Sequence, residues 1–174
     1  IGLLQKNFKK DFKYFLFIST SHVYGFHKKK ISEYDTRKPF SKYGRTKKAV
    51  EDFILNQKKR FYFKIGIARI FNFTSDKQDK GHFIPDVYEK IKSGRNLINL
   101  NKNRDFIHID DVARSLELML NKKKDKALNI CSGKKINLVS LTKKLNSMSL
   151  KKDLVFIKSR KKINQDTYGN NNLL

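Results

Sequence analysis

A tyrosine and a lysine stand four residues apart in Tyr43-Gly44-Arg45-Thr46-Lys47. On a helix, residues at that spacing project from one face. A free phenol has a pKa of about 10, and an ammonium group beside it favours the phenolate and lowers that value. Such a pair can act as an acid/base near neutral pH, which proton transfer to or from a sugar hydroxyl or ketone requires. Thr20 offers a hydroxyl that can share the substrate oxygen, which makes a three-part constellation of Thr20, Tyr43 and Lys47. In a chain with 40 lysines and arginines and 7 tyrosines, a solvated helix face accounts for the same spacing. The surrounding elements decide between the two readings.

Lys13 to Ser19 is a continuous aromatic and β-branched run, Lys-Tyr-Phe-Leu-Phe-Ile-Ser. It predicts a strand buried on both faces, hence a parallel sheet. Thr20 to Gly25 follow as a loop at the strand's carboxyl end, the edge at which ligands bind in open α/β sheets. Residues 26–40 read as a polar surface loop. Ser41 is an N-cap for a helix running to about Lys59, with Ala49, Val50, Phe53 and Ile54 as its apolar stripe. Phe61 to Ile70 predicts a second buried strand, and Phe71 to His82 a polar loop carrying Asn72.

Further on, Ile84 to Lys92 repeats apolar residues at helical spacing, with Gly94 as a stop. Leu97–Leu100 and Asp105–Ile109 read as short strands. Asp110 or Asp111 caps a helix containing Val112, Ala113, Leu116 and Leu120. A strand at Ala127–Cys131, a turn at Ser132-Gly133-Lys134, a helix capped by Asn137 and a last strand at Leu154–Ile157 follow. Residues 1–12 read as the end of a helix, and the tail with Asn170-Asn171-Asn172 as polar and frayed. Strands alternating with helices give an α/β class. The first half is doubly wound in character, and the second has the shorter elements of an appended lobe, with a soft boundary near residue 76.

The 174 residues suffice for one domain with a real core. The sequence opens on Ile1 rather than Met, so a fragment is expected. The formal charge of +24 suits an anionic partner. The basic residues are scattered, in Lys28–Lys30, Lys58–Arg60, Lys122–Lys124 and Lys151–Lys152, and form no stripe interleaved with aromatics. Specific nucleic-acid binding is therefore not expected, whereas non-specific attraction at low salt is. A single cysteine, Cys131, allows no intrachain disulfide, fits a reducing, cytoplasmic setting and reads as a small buried apolar residue. No apolar run approaches the roughly 20 residues that span a bilayer, and no signal peptide is visible. His22, His27, His82 and His108 lack metal-ligand spacing, so no metal is expected.

Five segments, in order, resemble the extended short-chain dehydrogenases/reductases of the NAD-dependent epimerase/dehydratase group, which acts on nucleotide sugars. Phe17–Gly25 resembles the serine/threonine strand end before Val-Tyr-Gly. Pro39–Lys47, with Glu51 one turn on, resembles the tyrosine–lysine helix. Arg69-Ile70-Phe71-Asn72 resembles the arginine-x-x-asparagine after the next strand, and Arg104–Val112 the Arg-Asp-Phe-Ile-His-Val-x-Asp-Val segment. Leu128–Gly133 is a fifth, weaker match.

The resemblance implies the C-terminal part of a doubly wound, Rossmann-like parallel sheet. Residues 1–76 would carry the catalytic helix, and 77–174 would be mainly a substrate-binding lobe, incomplete at its C-terminus. Tyr43 would be the acid/base. Lys47 would hold the nicotinamide ribose and depress the tyrosine pKa, and Thr20 would orient the sugar oxygen. Phe71 would join Tyr43 and Lys47 at the cofactor, NAD or NADP. Ser21, His22, Asn72, Arg104 and Arg160 would contact a nucleotide-sugar substrate, with Asn72 and the two arginines near its diphosphate, since a guanidinium fork suits phosphate oxygens. A homodimer through the Tyr43 helix is implied as well.

Competing readings stay open for several of these. Arg104 could instead pair with Asp105 or Asp110, Asn72 could cap a turn, and His108 could sit in a strand with a satisfied hydrogen bond. His22, two residues after Thr20, titrates near neutrality and could assist proton transfer.

Two departures from the family pattern matter. The glycine-rich dinucleotide fingerprint does not occur in these 174 residues, so on their own they are expected to bind the cofactor poorly. Ser21 and His22 stand where the 4,6-dehydratases carry acidic residues, which favours an epimerase or a 4-keto-sugar reductase over a dehydratase. From another class, a non-catalytic basic binding protein on the same fold remains an alternative. It would gather its lysines on one face, whereas an enzyme would ring a cleft containing Thr20, Tyr43 and Arg104.

Overall fold

The computed structural model describes residues 12–94, 101–148 and 166–173, and the backbone of 97–98 and 156–157. The expected helix at 1–12 lies almost wholly outside these residues, as do parts of the strands expected at 97–100 and 154–157.

Strand β1, Tyr14–Thr20, leads through a single 3-10 turn at Ser21–Val23 and a long loop into helix α1, Lys42–Gln57. Strand β2, Lys64–Ile70, lies parallel to β1 in the register Tyr14↔Lys64 to Thr20↔Ile70. Strand β7, Ala127–Ile130, lies parallel on its other side, from Ile67↔Ala127 to Ile70↔Ile130. The apolar run of β2 follows from burial on both faces; β1, expected to be the same, is the end strand of the three described, with Tyr14–Phe17 half-buried and Ile18 exposed. Ile65 and Ile67 pack against Ile54 of α1 and against Phe63. Ala68, Leu128 and Ile130 pack on the other face against Val112 and Met119 of α3, Ile109–Asn121. At Gly66 a Cβ would fall 2.0 Å from the Tyr14 hydroxyl, which crosses there to donate to the Lys124 carbonyl at 3.0 Å.

The remaining elements stand above the carboxyl ends of this sheet or beside it. Strand β3, Asn72–Thr74, pairs parallel with β6, Phe106–His108. Helix α2 is Phe83–Lys92, and α4, Leu138–Ser147, is capped by Asn137, which accepts from the Ser140 amide at 3.1 Å. Two-residue ladders join β4, Leu97–Ile98, to β9, Phe156–Ile157, and join β5, Asn103–Arg104, to β8, Ile136–Asn137. β7 returns from the second half of the chain to the first sheet, so both halves build one core.

Four local expectations change. The second strand begins at Lys64 rather than Phe61, because Lys58–Arg60 form a 3-10 turn. Asn72 sits in a strand rather than a loop. Helix α3 is capped by His108, whose Nδ1 accepts from the Asp110 amide at 3.3 Å. Asp110 and Asp111 instead occupy the first turn, where the helix dipole favours negative charge. The tail is not frayed over 166–173. Thr167 donates to the Asn103 carbonyl at 3.1 Å and accepts from the Asp105 amide at 3.0 Å, and the Asn170 amide donates to the Ile31 carbonyl at 2.7 Å. Polar side chains hid what is a backbone-paired segment.

Helix α1 is fixed to the sheet by charge as well as by apolar packing. Glu51 is fully buried. Its carboxylate accepts Nε and Nη2 of Arg69 in β2 at 2.7–3.1 Å, Nη1 of Arg37 at 2.9 Å, and the Ser19 hydroxyl of β1. Replacing Glu51→Gln leaves two guanidinium groups facing a neutral amide, one of them buried. It is expected to cost about 3–5 kcal/mol, to be read as a lowered midpoint in urea unfolding.

Candidate active site

Two close contacts set the amino end of α1. Ser41 accepts from the Gly44 amide at 3.0 Å. Gly44 packs on the 3-10 turn so tightly that a Cβ there would lie 2.5 Å from the His22 carbonyl oxygen. The helix therefore presents Tyr43 directly beside the end of β1. One turn on, Lys47 donates its ammonium to the Ile18 carbonyl at 2.9 Å. That ammonium lies 5.0 Å from the Phe17 ring centroid and 5.9 Å from that of Tyr43. Thr20 Oγ1 accepts from the His22 amide at 3.3 Å, which orients its hydroxyl at the mouth of the strand.

These groups open on a cleft of about 390 Å³ at the carboxyl ends of β1 and β2. Thr20, His22, Tyr43, Phe71 and Asn72 line one side, and Gln78, His82, Phe83, Ile84 and Phe106 the other. Tyr43 is 53% exposed and reaches this space from the helix. Beside it the His22 ring meets Tyr43 edge-on at 5.8 Å and stacks on Phe40 at 6.3 Å. Phe40 in turn stacks on Phe26 at 4.0 Å. Nδ1 of His22 is buried with no hydrogen-bond partner among the described residues. Burial first, then the positive charge of Arg104, hold the His22 imidazole below its ordinary pKa.

The structure thus brings Thr20, His22, Tyr43, Phe71 and Asn72 to one cleft, with Lys47 on the Tyr43 helix at its edge. Ser21 is not among them. It is only 2% exposed, turned inward in the 3-10 turn, and does not line the cleft. Asn72 lines the cleft while its amide donates to the Asp105 carbonyl at 3.1 Å. Arg104 is half-buried and donates Nη1 to the Asn103 carbonyl at 2.9 Å; it stands back from the lining and acts on His22 through its charge. Its alternative partners are engaged elsewhere. Asp105 collects the amides of Ser132, Gly133 and Gly169 and the Ser132 hydroxyl at 2.7–3.3 Å, and Asp110 sits in the first turn of α3, its amide donating to His108 Nδ1. Arg160 lies outside the described residues. Cys131 is buried, and burial pushes its thiol up to about 12.

The far wall escaped sequence reasoning. Its residues come from a polar loop, the first turn of α2 and the start of β6. The available signal was His82 standing at the N-cap of an apolar helix, where it makes no side-chain cap bond. A second tyrosine close by is of a different kind. Tyr24 is fully buried and donates to Asn129 at 2.7 Å, accepts from Arg69 at 2.7 Å, and is pushed by burial up to about 12.

Residues 2–131 match the sequence model of the NAD dependent epimerase/dehydratase family. The chain belongs to that family. Among solved structures it is 25% identical to the UDP-glucose 4-epimerase of Thermotoga maritima crystallised with UDP-glucose. There the TM-score is 0.82, over 98% of this chain and 59% of that one. The UDP-glucuronic acid 4-epimerase of Bacillus cereus, in complex with UDP-glucuronic acid and NAD, is 26% identical with a TM-score of 0.74, over 90% and 52%. The dTDP-glucose 4,6-dehydratase of Bacillus anthracis in complex with NAD shares the fold at 19% identity, with a TM-score of 0.84 over 99% and 56%. No curated protein matches this sequence. The chain spans a little over half the length of these relatives in an NAD-dependent, Rossmann-like family. Among the described residues no helix is long and apolar enough to cross a membrane.

The surroundings of His22 yield a pH signature. Its folded-state pKa lies below the unfolded value, so between the two the unfolded chain binds a proton that the folded chain does not. Stability therefore falls as pH drops through about 6.5. An NMR titration is expected to place the His22 midpoint below that value. Arg104→Gln is expected to raise it, since a repelling charge is removed.

Proposed function

We propose that this chain is the catalytic and substrate-binding part of an NAD(P)-dependent nucleotide-sugar epimerase or 4-keto-sugar reductase. The observation that carries the reading is the convergence of Thr20, Tyr43 and Lys47 at the carboxyl edge of the parallel sheet, beside one cleft. Tyr43 takes the proton from a sugar hydroxyl, or returns it to the carbonyl oxygen, while Thr20 holds the same oxygen in line. Lys47 sets its ammonium 5.9 Å from the centre of the Tyr43 ring, on the same helix.

The residues present suit a nicotinamide cofactor. The Lys47 ammonium has three N–H donors, of which the Ile18 carbonyl takes one, leaving others for ribose hydroxyls. Phe71 and Ile18 give an apolar wall beside them. Bound there, the nicotinamide would accept and return the hydride. Asn72, which lines the cleft, serves the diphosphate of a nucleotide sugar, with the positive charge of Arg104 set back behind the lining. The N-terminus of α2 faces the cleft through His82, Phe83 and Ile84, and its orphan amides favour an anion.

Among the described residues that line the cleft, none is a carboxylate. That supports an epimerase or reductase over a 4,6-dehydratase, for which an acidic group would assist loss of water. The lining holds no lysine either, which argues against a cleft built for polyanions. The side of α1 away from the sheet exposes Phe53 and Ala49, a surface suited to a homodimer through this helix. A single buried cysteine suits a cytoplasmic setting.

In a panel of UDP- and dTDP-sugars and their 4-keto forms, assayed with NAD(H) and NADP(H) on the full-length protein, Tyr43→Phe is expected to lower kcat/KM by about 10²–10⁴-fold with the fold unchanged. Wild-type turnover by Tyr43→Phe would overturn the assignment. Titration calorimetry of the 174 residues alone is expected to show weak NAD binding, since they hold no glycine-rich phosphate loop; tight binding would contradict that.

A further inference from the structure

At the opposite end of the strands from the cleft, the fold assembles what the sequence scatters. The Lys64 amide donates to the Lys13 carbonyl at 3.1 Å. The Lys58 ammonium donates to the Asp125 carbonyl at 2.7 Å, and the Ile65 amide to the Asp125 carboxylate at 2.8 Å. These bonds bring residue 13, residues 58–64 and residues 122–126 to the base of the sheet. Between them is a concavity of about 470 Å³, lined by Lys13, Lys58, Lys64 and Lys123 together with Tyr62. Lys59, Arg60, Lys122 and Lys126 flank it in the same segments, all exposed. The one carboxylate in these segments, Asp125, is held by Lys58 at 3.0 Å. Tyr62 is 47% exposed. It meets Phe63 edge-on at 5.4 Å, and Phe63 stacks on Phe61 at 5.4 Å, so the aromatic surface is held in place beside the ammonium groups.

We propose that this basic, aromatic concavity is a docking site for single-stranded nucleic acid, read without sequence preference. Ammonium groups track the phosphates, and Tyr62 supplies a stacking platform for a base, the combination that single-strand binders use. A polysaccharide or a purely acidic peptide would engage the lysines without stacking on the exposed ring face. Strands of seven residues put this site about 20 Å from the cleft, so a bound strand leaves the cleft open. The composition of the chain supplies long-range attraction; the geometry concentrates it where a flat ring is exposed.

The test is fluorescence anisotropy of the 174-residue chain with a labelled twelve-nucleotide oligouridine, at several salt concentrations. A variant combining Lys64→Glu and Lys123→Glu is compared with one combining Lys28→Glu and Lys134→Glu, which removes the same charge from a different surface. The first is expected to weaken binding at least tenfold and to lower the salt slope by about 1.4, from two lost phosphate contacts at about 0.7 each. The control is expected to weaken it no more than threefold. Tyr62→Leu keeps an apolar group on Phe63 while removing the ring face. It is expected to cost about 5- to 100-fold with the slope unchanged. Thermal melting checks that each variant is folded; should Tyr62→Leu not fold, Tyr62→His replaces it, with a loss smaller than that of Lys64→Glu/Lys123→Glu. Equal losses in the two charge variants would reduce the effect to net charge and overturn the site. Binding indifferent to Tyr62, or matched by heparin at equal charge, would overturn the nucleic-acid assignment.

Discussion

A buried carboxylate between two strands and a helix governs this architecture. Glu51 has no water to solvate it, so its charge must be met by protein, and Arg69 and Arg37 meet it while the Ser19 hydroxyl adds a further hydrogen bond. A buried pair of this kind gains little over apolar packing, because both ions lose their hydration; what it does is forbid other arrangements. An α1 shifted by one turn would strand a carboxylate in the core. The Arg69 guanidinium continues the network to the Tyr24 hydroxyl and the Glu33 carbonyl, and Tyr24 carries it to Asn129 in β7. All three strands of the main sheet are thereby referred to one residue of the helix that bears Tyr43 and Lys47.

The geometry of the candidate site follows from that anchoring. Once Glu51 is fixed, residues four and eight positions earlier in α1 fall over the carboxyl end of β1, and Gly44 lets the helix close on the turn that carries His22. Thr20 is placed by the same strand that supplies Ser19 to the carboxylate. Neighbouring residues of β1 thus take different tasks, Ser19 bonding the carboxylate of the helix and Thr20 offering its hydroxyl at the cleft.

The parts legible in the sequence were those governed by burial on two faces or by a local cap. The runs at Tyr14–Thr20 and Ile65–Ile70 could hardly be anything but strands, though only the second is interior among the described residues, and Ser41 and Asn137 cap their helices as their residue types suggest. Thr20, Tyr43, Phe71 and Asn72 could be singled out because they sit in contiguous motifs. What was not legible depends on partners distant in sequence. The strand character of Asn72 needs Phe106 beside it, the order of residues 166–173 needs Asn103, Asp105 and Ile31, and the far wall of the cleft needs the loop before α2 to fold back. Ser21 shows the limit of motif reading. It stands within the right motif, yet the tight turn after β1 directs it inward. The lysine groups carried a similar limit, since runs that look dispersed along the chain become neighbours where parallel strands begin.

The Asp105 carboxylate, gathering amides from residues 132, 133 and 169, has a consequence for how the chain is made. Protein synthesis runs from the amino end to the carboxyl end, and a long-range contact cannot form before its later partner leaves the ribosome. Ile31, Asn103 and Asp105 all wait for residues 166–170 to complete their backbone bonds. The loop carrying Ile31 is thus left without its final support while residues 32–165 are being made. During that interval its apolar neighbours, Val23, Tyr24 and Phe71, make it a natural stretch for a chaperone to hold.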